Sequence, residues 1–96
     1  MSTANVPEIE YAAFDAMKEV ASSLKAAYFH QQLATDSELE IKYWTAQEDF
    51  VQRIVSGVDN TDLEEIRAAA EFFARLLDEL ETVSYTHLTL PTKRLV

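Results

Sequence analysis

The sequence predicts an all-α fold, an antiparallel three-helix bundle, and three observations carry that expectation. Apolar residues recur at helical spacing in three successive segments. The two interruptions between them, Thr35-Asp-Ser and Asp59-Asn-Thr-Asp62, are clusters of turn and capping residues. A chain of 96 residues with one Gly and two Pro has little turn chemistry for a sandwich, a barrel or a phosphate-cradling loop. With 48% hydrophobic residues it is too apolar to stay disordered, and with 26% charged residues too polar to be a membrane protein. The helices are expected at about 7–34, 38–56 and 62–81.

The first helix is expected to begin near Pro7. In Asn5-Val-Pro-Glu8 the Asn side chain can accept from a free backbone N–H, Glu8 can reach back, and Pro7 lacks the donor that would be orphaned there. Ala13, Met17, Val20, Leu24 and Ala27 then step by four and three, with Phe14, Ala21 and Tyr28 beside them. Glu8, Asp15, Lys18, Glu19, Ser22 and His30 fall on the opposite, solvated face.

Thr35 or Asp36 is expected to cap the second helix, with Glu38 in its first turn facing the positive helix end. Two apolar rows follow, one of Leu39, Tyr43, Ala46, Phe50 and Ile54, the other of Trp44, Val51, Val55 and Val58. Together they span nearly half the circumference, the width expected of a helix wedged between two neighbours. Gly57 falls where this helix should end and is expected to supply a left-handed cap. For the third helix Thr61-Asp-Leu-Glu64 reads as a capping box, and Leu63, Ile66, Ala70, Phe73, Leu77 and Leu80 form a coiled-coil-like seam widened by Ala69, Phe72 and Leu76.

The last fourteen residues read differently. Val83-Ser-Tyr-Thr-His-Leu-Thr-Leu-Pro-Thr92 resembles the in-frame translation of the adapter used in transposase-made short-read sequencing libraries, GTC TCT TAT ACA CAT CTG ACG CTG CCG ACG. The adapter begins with CT just upstream, which Thr82 permits as ACT. Downstream come an A, a short index and GTG TAG, leaving Lys93, Arg94 and Leu95 to the index, Val96 to GTG and the end of translation to the stop codon. The resemblance implies one helical domain over residues 1–82, cut short at its C-terminus, and a non-native tail over 83–96 that is expected to be irregular and weakly packed. The composition changes at the same junction, where acidic residues stop and Thr and Leu dominate.

The chain has a net charge of -9, and within 1–82 six positive side chains face all 17 acidic ones. Such a surface repels phosphate backbones, so nucleic-acid binding is not expected; DNA mimicry would need carboxylates aligned at phosphate-like spacing, and helical projection scatters them. Zero Cys removes thiolate nucleophiles and Cys-based metal sites. No apolar run approaches a membrane span, and Met1-Ser-Thr-Ala-Asn-Val-Pro lacks the regions of a signal peptide, so the chain reads as cytoplasmic.

No constellation carries chemistry. A di-iron bundle needs Glu-x-x-His pairs, but the residue three before His30 is Ala27, and His87 lies in the adapter-like stretch. The pairs Glu48/Asp49, Glu64/Glu65 and Asp78/Glu79 diverge by about 100° on a helix and read as solvated faces. Ser22 and Ser23 have no base at helical spacing. Glu38 with Lys42 and Glu71 with Arg75 have the spacing of helix ion pairs.

Five apolar residues exceed one stripe per helix: Tyr11, Phe29 and Leu33 on the first, Phe72 and Leu76 on the third. They read either as ordinary core absorbed by supercoiling or as an exposed patch for a partner, a second copy or a further segment. The functional expectation is a non-enzymatic acidic module that binds protein through an apolar helix face, such as a regulatory or antitoxin-like binder. Trp44, Phe50, Phe72 and Leu76 are its anchors, with a protein partner or self-association and no cofactor, metal, small molecule, nucleic acid or membrane. The rival reading is the N-terminal helical portion of a longer enzyme cut off before its active site.

Overall fold

The computed structural model describes the backbone of residues 2–95 and the side chains of residues 9–82. Three helices form an up-down-up bundle: α1 (Ser2–Leu33), α2 (Glu38–Gly57) and α3 (Leu63–Leu95). Their 32, 20 and 33 residues correspond to lengths of about 48, 30 and 50 Å. Because α2 is the shortest, α3 starts alongside the middle of α1 and runs past its end. That stagger gives extents of 64 × 27 × 15 Å and a radius of gyration of 17.0 Å, against about 12–13 Å for a compact chain of this length.

The expected faces form the core. Met17, Ala21, Leu24 and Tyr28 from α1, Val51 from α2, and Ile66, Ala69 and Phe73 from α3 are buried together, with Ala13, Phe14, Val20, Leu77 and Leu80 packed at the margin. The helix wedged between two neighbours is α1 and not α2: α1 packs along both others, while α2 and α3 barely touch. The physical reason is visible in α2 itself. Its row of Trp44, Val51, Val55 and Val58 turns inward, while Leu39, Tyr43 and Phe50 of the other row stay 79%, 56% and 45% exposed.

The helix ends depart from expectation in several places. α1 begins at Ser2, ahead of Pro7. Ser2–Val6 contain no helix breaker, and the N–H that Pro7 lacks removes only one bond of the ladder; the contacts expected of Asn5 and Glu8 lie outside the described side chains. At the other end the Ala34 N–H is shared between the His30 and Gln31 carbonyls at 3.1 and 3.2 Å. Ser37, not Thr35 or Asp36, caps α2, its hydroxyl accepting from the Glu40 N–H at 3.3 Å. Thr35 instead turns its hydroxyl oxygen to the Ser37 N–H at 3.1 Å, tightening the turn.

Gly57 does not adopt a left-handed conformation. The chain leaves α2 through Val58 in an extended conformation (φ -73, ψ 130), its N–H bonding the Ile54 and Val55 carbonyls at 3.1 and 3.3 Å, so the exit needs no positive φ. The cap of α3 lies one residue beyond the expected Thr61: Asp62 Oδ1 accepts from the Glu65 N–H at 3.1 Å. Thr61 is engaged upstream, where Asp59 Oδ1 accepts from its N–H at 2.9 Å and its hydroxyl at 2.7 Å. Glu65 closes the turn by accepting from the Asp59 N–H at 3.2 Å. Those two Thr61 bonds hold the Asp59 carboxyl below its ordinary value.

Residues 83–95 do not form an irregular tail. The α3 backbone stays helical from Leu63 to Leu95, because adding a residue to a packed helix costs far less than nucleating one and Ser, Tyr, His and Thr differ only modestly in helix propensity. Pro91 is carried within it, forgoing the bond its N–H would give the His87 carbonyl. How those side chains pack lies outside the described residues.

Candidate functional site: the groove between α2 and α3

The four sequence-derived anchors converge on one side of the molecule. α2 and α3 approach at Phe50 and Phe72, whose rings meet edge to face with centroids 6.2 Å apart. Phe72 then leans on Phe73 of the core, 6.0 Å away. Along the bundle from this contact the two helices leave a hollow of about 300 Å³. Tyr43, Trp44 and Gln47 form one wall, Leu76, Glu79 and Leu80 the other, and Tyr28 of α1 reaches it from below. Trp44, Phe72 and Leu76 are half-buried and in contact with the core, and Trp44 and Leu76 also line the hollow.

An aromatic chain stiffens the α2 wall. Trp44 stacks on Tyr28 at 5.6 Å, and Tyr43 meets Trp44 edge-on at 4.8 Å. Burial, then the Tyr43 hydroxyl and the Glu79 carboxylate, push the Tyr28 phenol above its ordinary value. Tyr43, Gln47, Glu79 and Tyr28 belong to this groove although the sequence reading did not place them among the anchors. The signal for Tyr43 was present in its spacing from Leu39 and Phe50; that for Glu79 was not, because an acidic residue on an acidic helix stands out only once its neighbours are known.

The remaining off-stripe residues lie elsewhere. Tyr11, Phe29 and Leu33 are exposed on α1, and by helical projection they occupy its flank away from α3. They do not join the groove.

Two other concavities are less suited to a ligand. One of about 540 Å³ runs along α1 over Asp15, Lys18, Glu19, Ser22 and Ser23, and a single helix cannot enclose a guest. The other, about 420 Å³, lies between α1 and α3 with Glu19, Asp78 and Glu81 at its rim. Among the described residues no three His, Asp or Glu side chains come close enough to hold a metal ion, and no helix is long and apolar enough to cross a membrane. His30 and both serines are exposed.

Polar contacts elsewhere tie α2 to α1. Lys25 donates to Gln52 at 2.7 Å, and Gln32 donates to the half-buried Glu48. Glu38–Lys42 and Glu71–Arg75 do not close as ion pairs; the pair among the described residues is Lys18–Asp15 at 3.9 Å, with the Lys18 ammonium also 5.1 Å from the Phe14 ring centroid. Exposed pairs of this kind contribute little.

No protein-family model matches the chain, and no curated protein and no solved structure matches it either.

Proposed function

We propose that this chain is a non-enzymatic, acidic protein-interaction module, with the cytoplasm as its location, that engages a partner protein through the groove between α2 and α3. The observation that carries the reading is the convergence of Trp44, Phe50, Phe72 and Leu76 on that one open side. Large apolar residues concentrated in a desolvatable cleft dominate interface energies, and a slot between two helices suits an inserted helix. The net charge of -9 adds long-range attraction for a basic target.

Photo-crosslinking from position 50 in cells, followed by reconstitution with the protein so identified, tests the reading. The expected result is an adduct whose partner binds the parent chain, loses binding with Phe72→Asp and keeps it with Leu33→Asp on the other flank. An interaction weakened equally by both variants, or no adduct at position 50, contradicts it.

We assign no role to Val83–Val96 and propose that this segment is translated adapter, supported by the ten-residue match and the compatible codons around it. Sequencing the unamplified source DNA across the Thr82 codon should show a different sequence after it; an unchanged reading frame through Val96 contradicts the proposal.

A further inference from the structure

We propose that the occupant of the α2–α3 groove is an amphipathic helix of another protein, one that sets an apolar stripe into the groove and a Lys or Arg opposite Glu79. This rests on the groove being the interaction surface and adds the chemistry of what fills it.

Three observations select that occupant. The hollow is walled by Trp44, Leu76 and Leu80, so its guest must be apolar where it enters. Among the described residues Glu79 is the one charged side chain lining it, a carboxylate at the edge of an apolar wall, placed where a cation flanking the guest's apolar stripe would meet it. The chain as a whole carries -9. A second copy would bring the same negative field to the same face, so self-association works against charge repulsion while a basic helix is drawn in. The helical walls also favour a helix over an extended strand, since neither α2 nor α3 offers unpaired backbone groups along its length.

Trp44 is the only tryptophan of the chain and lines the groove, so its fluorescence reports occupancy directly. The probes are two synthetic amphipathic helices with the same leucine stripe, one with lysine and one with glutamate on the polar face, titrated into the full chain. The lysine helix should bind and shift Trp44 emission, and the glutamate helix should not. Glu79→Lys, an exposed substitution that leaves the core intact, should weaken the lysine helix by roughly tenfold or more. Leu76→Asp should abolish binding; should that variant lose its helical circular dichroism, Phe50→Asp at the exposed edge serves instead.

Equal binding of both helices, binding of the lysine helix without a Trp44 response, or no effect of Glu79→Lys overturns the inference. Sedimentation of the same samples separates it from the broader reading. A dimer that Phe50→Asp converts to a monomer would make a second copy the occupant, overturning the cationic helix while leaving the groove an interaction surface. No binding of either helix by a chain that stays monomeric overturns the inference, and the groove reading falls with it if the position-50 crosslink is also absent.

Discussion

Two apolar rows run along α2 about a third of a turn apart, and they meet opposite fates. Trp44, Val51, Val55 and Val58 pack inward against α1 and the shared core. Leu39, Tyr43 and Phe50, no less apolar, face outward beside the groove. The difference shows that α2 has one full neighbour rather than two. Burying a side chain of this size stabilises by about 1.5–3 kcal/mol, so one row holds the helix to the bundle. Of the other row Ile54 packs against the core, whereas Leu39, Tyr43 and Phe50 lack such a cover except where Phe50 meets Phe72.

The largest effect should come from the inward side. Phe73 is fully buried, and Phe73→Ala should cost about 3–5 kcal/mol, measured by urea denaturation, because the cavity lies where all three helices meet. A loss under about 1 kcal/mol would mean that the inward rows do not close on a common core. Next in size is the start of α3, which sets how that helix leaves the turn. Asp62→Ala should cost about 1 kcal/mol, while Thr61→Ala, at the position the sequence pattern favoured, should leave the α3 cap itself intact. The reverse ranking would return the cap to Thr61. On the outward side Leu39→Ser should change stability by no more than about 0.5 kcal/mol.

A smaller signature lies in alkaline pH. The Tyr28 phenol is raised in the folded state, so above the unfolded value of 10.0 the unfolded chain gives up this proton before the folded one does, and stability falls as pH rises. Tyr28→Phe should lack that component of the alkaline decline. An identical decline in both proteins would mean that the ring is not held in the desolvated position between Trp44 and the groove.

Much of this architecture was legible in the sequence because faces are written in periodicity. The α1 face, the α3 seam and both interhelical turns needed only spacing and composition, and size and position singled out Trp44, Phe50, Phe72 and Leu76 as candidate anchors. What spacing does not encode is which face meets which. The breadth of the α2 arc was compatible with two neighbours or with one neighbour and an open row, and only the placement of α3 along α1 decides. Caps were ambiguous for a related reason: Thr35, Asp36 and Ser37 can all accept from a helix N–H, as can Thr61 and Asp62, and the angle at which the chain enters selects among them. The helical backbone beyond Thr82 was missed because a stretch that resembles translated adapter was expected to be irregular, whereas a helix already packed propagates through residues of modest propensity.

Adjacent residues offer the most direct test of the open groove. Phe50 faces outward and Val51 is fully buried, so replacing each by serine probes the two rows at nearly the same height along α2. Urea denaturation should show Phe50→Ser within about 1 kcal/mol of the parent and Val51→Ser destabilised by more than about 2 kcal/mol. Equal losses, or a larger one at Phe50, would show that the outer row is part of the packed interior and that no groove stands open between α2 and α3.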